Sequence, residues 1–179
     1  KQAERDLVGR KIAGFFPTPR AVAERMAEFV PGKPETMLEP SAGSGALADF
    51  ARDQWPGVAI DCVEIVPTLR HILDMKGYDL VGLDFTEFES HKQYEVVFMN
   101  PPFEDFQDIA HVRRAWGFVQ DGGTLVSVMG AGVRFRTDRV AVEFRAWADA
   151  IGGTFEDLPA GSFEASGTGV NAVIFAACK

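Results

Sequence analysis

Met37-Leu38-Glu39-Pro40-Ser41-Ala42-Gly43-Ser44-Gly45-Ala46-Leu47 is the stretch that decides the fold of this chain. A strand ends at an acidic residue, a loop of small residues follows, and a helix begins at the end of the stretch. Gly43 and Gly45 remove side chains where a ligand has to approach the backbone, and the start of a helix exposes free N–H groups. Such a turn is common in α/β proteins, so the residues around it have to identify its ligand.

The residues around the turn argue against a phosphate ligand. A dinucleotide-binding loop reads G-x-G-x-x-G, whereas position 48 of this chain is Ala and Glu39 stands just before the loop. A carboxylate there would repel a pyrophosphate, but it suits a cationic ligand or hydroxyl groups.

Two further strands end in an acid. Glu64 closes the strand that begins near Ile60, some 20 residues after the glycine-rich loop, which is the spacing at which an acid reaches ribose hydroxyls. Asp84 closes the strand that begins near Tyr78 and is followed by Phe85. Asp84 could accept from an adenine amino group while Phe85 packs on the ring. A solvated strand end explains either acid alone equally well. Their order along the chain, after the glycine-rich loop, indicates one binding cleft.

The tetrapeptide Asn100-Pro101-Pro102-Phe103 follows the apolar run 96–99, which has the character of a buried strand. Both prolines lack an N–H and have a locked φ angle, so this stretch presents a rigid row of carbonyl acceptors. An amide side chain and an aromatic ring stand beside them. Two acceptors and a ring face suit a flat group that carries an –NH₂, so the motif indicates chemistry on an amine. A stiff loop is the other interpretation.

The order F-x-T-P (residues 16–19), E-P-x-x-G-x-G, strand-end Glu, strand-end Asp-Phe and N-P-P-F resembles the amino-methyltransferases that use S-adenosylmethionine. It is most similar to the adenine-N6 DNA methyltransferases in which the cofactor motif comes before the catalytic one, and to the small enzymes of phages and plasmids. The resemblance covers about residues 15–176. It implies a Rossmann-like class I methyltransferase fold: a seven-stranded, mainly parallel sheet with an antiparallel last strand and helices on both faces.

The resemblance also implies a cofactor and its site. The cofactor is S-adenosylmethionine, with its amino-acid end against the glycine loop and the F-x-T-P segment. The residues implied to bind it are Phe16, Thr18, Pro19, Glu39, Pro40, Ala42, Gly43, Gly45, Glu64, Ile65, Asp84, Phe85 and Asn100. The residues implied to be catalytic are Asn100, Pro101, Pro102 and Phe103, with Phe103 as the stacking face for a flipped-out base.

Strands and helices alternate along the chain, which predicts an α/β fold with a mainly parallel sheet. Thr18 is predicted to cap a first helix that has Pro19 at its first position and ends at residues 31–32. The predicted strands lie near 36–40, 59–65, 78–84, 94–99, 123–129, 154–158 and 170–177, and the other helices near 45–55, 67–76, 105–119 and 138–151. A Gly/Ser-rich connection without a helix joins the last two strands, which are predicted to form a hairpin.

The 179 residues fit one catalytic domain over 1–179, with no separate target-recognition region apparent. No run approaches 18 apolar residues, so no membrane span is predicted. The three histidines have no metal-binding spacing, and no metal is expected. No leader segment is visible in a sequence that begins at Lys1, and we expect a cytoplasmic location.

The charge bears on the substrate. Asp and Glu number 26 against 18 Lys and Arg, and a net charge of −8 makes a poor non-specific DNA binder. Arg134, Arg136 and Arg139 form a local exception just after the fifth strand, where they are predicted either to contact substrate phosphates or to be ordinary solvated arginines.

Three functions remain open at this point. The first is adenine-N6 methylation of DNA, with target specificity supplied by a partner chain or a missing segment. The second is methylation of an amine in RNA or of a protein glutamine. Methylation of a protein glutamine is disfavoured because only about 35 residues precede the first strand. That is too few for the N-terminal helical substrate domain in which the protein-glutamine methyltransferases resemble each other. The third is a non-catalytic cofactor-binding partner subunit, which is disfavoured because both motifs are intact.

Overall fold

The structure is a computed structural model that describes residues 16–179. One seven-stranded sheet is flanked by helices. The strands are β1 (Thr36–Glu39), β2 (Ala59–Val63), β3 (Asp79–Gly82), β4 (Tyr94–Met99), β5 (Val119–Gly130), β6 (Thr154–Asp157) and β7 (Ala172–Cys178). The helices are α1 (Arg20–Ala27), α2 (Ala46–Gln54), α3 (Pro67–Met75), α4 (Gln107–Ala115) and α5 (Arg139–Ala150).

The sheet has the strand order β3-β2-β1-β4-β5-β7-β6. The pairs from β3 to β5 are parallel, and β7 is antiparallel to both β5 and β6. The predicted sheet, including its terminal hairpin and antiparallel last strand, is therefore confirmed. From β1 the chain winds first towards β3 and then, after β4, in the opposite direction. The crevice between β1 and β4 is the switch point at which open α/β sheets bind ligands.

The two faces of the sheet carry separate hydrophobic clusters, because successive side chains of a strand point in opposite directions. Met37 and Phe98 face a cluster that includes α1 and α2, whereas Leu38 and Met99 face a cluster that includes α4 and α5. Right-handed connections that run in opposite directions from the switch point place these helices on opposite faces. The predicted helices on both faces are thus confirmed.

The first helix differs from the prediction. It begins at Arg20, its N-cap is Pro19, and no side chain caps it, because the Thr18 hydroxyl bonds the Asn100 side chain instead. The helix ends at Ala27, after which the residues up to Val30 form tighter i→i+3 hydrogen bonds.

Two later boundaries also differ. Strand β5 begins at Val119 rather than near 123. Its register with β4 shifts near Gly122, whose φ angle is 79°, and this bulge allows the pairing to extend back to Val119. The connection between β6 and β7 contains a short 3₁₀ turn, Glu164–Ser166, where no helix was predicted. Across residues 16–179, none of the helices has the length and apolarity that crossing a bilayer requires.

Candidate active site

A cavity of about 690 Å³ opens at the carboxyl ends of the parallel strands, over the crevice between β1 and β4. This volume lies within the range of about 300–1,000 Å³ that is usual for cofactor and small-molecule sites. Most of the predicted site residues line it: Phe16, Thr18, Glu39, Ala42, Gly43, Glu64, Ile65, Asp84, Phe85, Asn100, Pro101, Pro102 and Phe103. Residues far apart in the sequence thus meet in one cleft, because the strands that precede them are neighbours.

The glycine loop is fastened to the end of β2. The Gly43 N–H donates to Oε2 of Glu64 at 2.6 Å, and the Ala42 N–H donates to the Val63 carbonyl at 3.0 Å. The other carboxylate oxygen of Glu64 accepts from the Val66 N–H at 2.8 Å. Burial raises the pKa of Glu64, and these backbone hydrogen bonds oppose that rise. Glu64 therefore shapes the loop as well as facing the cavity.

Glu39 is the most deeply buried acid of the cavity wall, at 2% exposure. Burial raises its pKa well above the usual value, and the Ala48 N–H only partly opposes this. Its Oε2 atom has no hydrogen-bond partner within residues 16–179. A buried polar atom without a partner is costly, and a cationic or hydroxyl group in the cavity would relieve that cost.

The end of β3 contributes a polar and an apolar wall. Asp84 accepts two hydrogen bonds from Thr86, one from the Thr86 hydroxyl at 2.6 Å and one from the Thr86 N–H at 2.8 Å. These hydrogen bonds lower the pKa of Asp84. Phe85 is buried with its ring centroid 5.5 Å from that of His111. Ile65 and Leu83 are 62% and 55% exposed at the cavity, although both are large and apolar. This part of the cavity suits a flat ring with polar edges.

The hydrogen bonds of Asn100 define the orientation of its side chain. Nδ2 lies 3.2 Å from the Phe16 carbonyl oxygen and 3.0 Å from Oγ1 of Thr18. A carbonyl oxygen can only accept, so the amide nitrogen has to face it and Oδ1 points the other way. Within the described residues, neither this Oδ1 nor the Pro101 carbonyl has a hydrogen-bond partner. The motif therefore presents two free acceptors on residues that line the same cavity as Phe103.

The turn after the motif has an unusual backbone. Asp105 and Phe106 have φ angles of 50° and 61°, which are rare for residues with side chains. Two contacts hold this turn. The Arg136 guanidinium lies 4.2 Å from the centroid of the Phe106 ring, and Oδ2 of the buried Asp108 accepts from the Gly130 N–H at 3.0 Å. These contacts connect the N-P-P-F turn to the loop after β5.

Three residues implied to bind the cofactor do not line the cavity. The Pro19 carbonyl accepts the first hydrogen bonds of α1, from the N–H groups of Val22 and Ala23. Pro40 is buried outside the lining. Gly45 has φ 86°, and a Cβ atom there would lie 2.9 Å from the Leu73 side chain. The left-handed backbone and the nearby Leu73 side chain of α3 thus both favour glycine at position 45.

The three arginines after β5 also lie outside the cavity lining, and each has an acidic partner. Arg134 bonds Asp157 at 2.8 Å, Arg136 bonds Asp138 at 2.9 Å and Arg139 bonds Glu143 at 2.6 Å. All three side chains are at least 43% exposed, and exposed ion pairs are weak enough to exchange for a phosphate. Their role as substrate contacts stays a prediction.

Several residues of the cavity wall were not indicated by the sequence patterns. Gln107 and His111 are four residues apart on α4, so they share a helix face, and this spacing could have indicated them. Burial lowers the pKa of His111, whose Nδ1 lies 3.4 Å from the Ser41 hydroxyl. Phe163, Thr168 and Val170 come from the connection between β6 and β7. The predicted hairpin could have placed this connection at the same sheet edge.

No protein-family model matches the chain. A curated relative, the malonyl-[acyl-carrier protein] O-methyltransferase of Acetivibrio thermocellus, is 27% identical over 77 residues, which is 41% of this chain. The match spans only 27% of the length of that relative.

Solved structures share the fold over nearly the whole chain. One, assigned as the modification subunit of a type I restriction enzyme from Vibrio vulnificus YJ016, has a TM-score of 0.72 at 17% identity and is matched over 99% of this chain and 47% of its own. Another, assigned as a class I S-adenosylmethionine-dependent methyltransferase from Listeria monocytogenes, has a TM-score of 0.75 at 15% identity, over 97% of this chain and 64% of its own. The Rossmann-like class I methyltransferase fold implied by the sequence motifs is therefore confirmed.

Proposed function

We propose that this chain is an S-adenosylmethionine-dependent methyltransferase that transfers a methyl group to an exocyclic amine, the N6 amino group of adenine in DNA. The observation that carries the proposal is the pair of free acceptors, Oδ1 of Asn100 and the Pro101 carbonyl, on residues that line the same large cavity as Phe103. Two acceptors and a ring face match the two hydrogens and the flat ring of an aromatic amine.

The cavity fits the proposed cofactor. The unpartnered buried carboxylate oxygen of Glu39 suits the ammonium group, and Gly43 leaves room for close approach to the backbone. We assign Glu64, which lines the cavity, to the ribose hydroxyls, and the exposed apolar side chains of Ile65 and Leu83 to the faces of the adenine ring. The same acids would repel the phosphates of a dinucleotide. The Listeria structure of the same fold is assigned as using S-adenosylmethionine.

When bound, the cofactor supplies a methyl group on a sulfonium, whose transfer needs no strong base. The difficulty lies with the acceptor, because the lone pair of an aromatic amine is delocalised into its ring. Hydrogen bonds from the –NH₂ group to Asn100 Oδ1 and the Pro101 carbonyl would draw the nitrogen towards a tetrahedral geometry. They would also stabilise the positive charge that develops there. The rigid prolines hold both acceptors in place, which favours an in-line arrangement.

DNA is the preferred substrate for three reasons. Phe103 offers a stacking face at the cavity for a flipped-out base. The loop after β5 and the first residue of α5 carry the three exposed arginines, and the same loop carries Phe135, which is 73% exposed and could stack on a base. The Vibrio structure of the same fold is assigned as a modification subunit of a type I restriction enzyme. We propose that target specificity comes from a partner chain or from a further segment of a longer protein.

An amine in RNA or a protein glutamine is the second candidate. One observation favours this candidate. Arg134, Arg136 and Arg139 each have an acidic partner, and paired arginines are less available to phosphates. A non-catalytic subunit would need neither of the two free acceptors.

The test is methyl transfer from labelled S-adenosylmethionine to duplex DNA, single-stranded DNA, RNA and a cell extract in parallel, with Asn100→Ala as the background. We expect label in DNA, on N6 of adenine after hydrolysis to nucleosides. Label confined to RNA or protein would favour the second candidate. Failure to bind the cofactor in calorimetry, with no label in any acceptor, would contradict the proposed function.

A further inference from the structure

The segment before α1 touches the side chain on which the proposed function depends. The Asn100 amide nitrogen contacts this segment twice, at the Phe16 carbonyl and at the Thr18 hydroxyl, and the shorter of the two hydrogen bonds is the one to Thr18. An asparagine side chain can rotate by half a turn and exchange its oxygen and nitrogen at little steric cost. Among residues 16–179, the Phe16 carbonyl, which can only accept, selects the orientation that leaves Oδ1 free for a substrate amine, and the Thr18 hydroxyl supports it with the shorter hydrogen bond.

Thr18 is held on both sides by proline residues. The carbonyl of Pro17 accepts a hydrogen bond from the Ser166 hydroxyl at 2.6 Å, and the carbonyl of Pro19 accepts from the Val22 N–H at the start of α1. Pro19 restricts the backbone of the preceding Thr18 to extended conformations, and Pro17 has a fixed φ angle of its own. The Thr18 side chain is 9% exposed, so it has little freedom to move away from Asn100.

Ser166 is in turn held in the connection between β6 and β7. Its N–H donates to the Phe163 carbonyl at 2.9 Å, within the 3₁₀ turn that follows Phe163. The Phe163 ring is only 2% exposed and belongs to the hydrophobic cluster on the α1 side of the sheet. A buried ring thus fixes the turn, the turn fixes the hydroxyl, and the hydroxyl fixes the Pro17 carbonyl. Ser166 does not line the cavity.

We propose that Thr18 and Ser166 are positioning residues for the catalytic amide, an inference that rests on the proposed function. Thr18 holds the Asn100 side chain with Oδ1 towards the substrate amine, and Ser166 holds the segment that carries Thr18. The loop between β6 and β7 thereby acts on the reaction although Ser166 makes no contact with the cavity.

The inference is tested with Thr18→Val, which keeps the shape of the side chain and removes the acceptor, and with Thr18→Ser, which keeps the hydroxyl. We expect Thr18→Val to lower kcat about tenfold or more, since its Asn100 amide retains only the longer bond. Thr18→Ser should recover most of the activity. Ser166→Ala should lower kcat in the same direction, while the cofactor Kd stays within a few-fold of wild type.

Ser162→Ala is the matched control. The Ser162 hydroxyl also donates to a proline carbonyl at 2.6 Å in the same connection, but that proline is Pro159, which lies within the connection itself. We expect kcat to be unchanged in this variant. Thermal unfolding of each variant shows that the fold is retained.

A second measurement does not depend on activity. The ¹H–¹⁵N resonances of the Asn100 side-chain amide, assigned by their loss in Asn100→Ala, should shift in Thr18→Val and Ser166→Ala but not in Ser162→Ala. Unchanged resonances would overturn the inference for any substrate. If the enzyme is active, an unchanged kcat in both Thr18→Val and Ser166→Ala would also overturn the inference. So would a loss of activity that weaker cofactor binding explains in full. Shifted resonances in a protein that methylates nothing would leave the positioning intact and remove the proposed function.

Discussion

The main-chain N–H of Gly43 donates a 2.6 Å hydrogen bond to Oε2 of Glu64, which joins the loop after β1 to the end of β2. Glu64 also accepts from the Val66 N–H, so one carboxylate orders two backbone segments at the cavity. The acid that the sequence pattern assigned to ribose hydroxyls thus has a second role, because it also shapes the loop against which the cofactor is proposed to lie.

Glu64→Ala is therefore expected to weaken S-adenosylmethionine binding and to lower the melting temperature together. Loss of a charge-assisted hydrogen bond costs about 1.5–3 kcal/mol, or roughly tenfold to a hundredfold in Kd. Calorimetry gives the affinity. Asp74→Ala is the control, since Asp74 is an exposed acid on α3 away from the cavity lining. Equal Kd values for Glu64→Ala and wild type would show that the Glu64 assignment is wrong.

Asn100→Ala should separate chemistry from binding. The substitution removes one of the two free acceptors but leaves the glycine loop untouched. Turnover should fall by roughly 10²–10³, the scale for removing one group that stabilises developing charge, with the cofactor Kd within a few-fold of wild type. Single-turnover methyl transfer measures the effect, with the exposed Asn171→Ala as control. Retained turnover would mean that N-P-P-F is only a stiff loop in this protein.

Glu39→Gln should stabilise the ligand-free protein, increasingly so as the pH rises. Burial raises the pKa of Glu39 above its value in the unfolded chain, so the folded state binds more protons and stability falls as pH rises through that window. Glutamine removes this dependence and keeps an acceptor for the Ala48 N–H. We expect the free energy of unfolding to rise by about 1–3 kcal/mol. In a chain of this size, each kcal/mol raises the melting temperature by roughly 2–4 °C.

The measurement for Glu39 is thermal unfolding of both proteins between pH 5 and pH 8, as a difference in melting temperature. Other acids with raised pKa values, such as Glu64 and Asp108, are present in both proteins and cancel. In the same variant, S-adenosylmethionine should bind more weakly, because a neutral amide replaces the carboxyl group that is proposed to pair with its ammonium group. A difference that stays constant with pH would contradict this account of Glu39.

Gly45→Ala should destabilise the fold by about 1–3 kcal/mol, because it combines a left-handed backbone with a close contact at the Leu73 side chain. Gly57→Ala is the matched control: its φ angle is 90°, but a Cβ atom there would meet nothing within 4 Å. Urea unfolding of the two variants therefore separates the contact from the backbone strain. Equal losses in both would show that packing against α3 is not what requires Gly45.

The arginines after β5 are tested together. If the substrate is a nucleic acid, replacing Arg134, Arg136 and Arg139 by Ala should weaken substrate binding and reduce the slope of log K against log salt by up to roughly 2–3. The cofactor Kd should not change, since none of the three lines the cavity. Arg20→Ala is the control for a lost surface pair, because Arg20 bonds Glu24 with the same i,i+4 spacing as Arg139 and Glu143.

Two results on these arginines would contradict the nucleic-acid assignment to different degrees. An unchanged slope in the triple variant would exclude them as phosphate contacts. A negligible slope in the wild-type protein as well would favour the non-nucleic-acid substrate.

The sequence alone indicated the strands, the helices and the terminal hairpin, because hydrophobic period and turn residues are local properties. The seven-stranded arrangement was implied by the family resemblance, and the strand order came from the structure. The runs around Met37 and Phe98 alternate between the two faces as strands must, and the glycines and prolines end each element close to where it was predicted. Most of the site residues that the sequence indicated line the cavity, since acids and prolines at strand ends meet at one edge of any parallel sheet.

Only the tertiary structure decided which groups are in contact. The sequence Thr18-Pro19 is typical of the start of a helix, yet the Thr18 hydroxyl bonds Asn100, 82 residues away. This contact forms because β4 ends beside the segment before α1. Gly45 resembles a ligand-binding glycine, yet it packs against α3. The Gly/Ser-rich β6–β7 connection has no ligand-binding motif and still supplies a wall of the cavity. Such long-range contacts depend on how the elements pack together, which local sequence patterns do not encode.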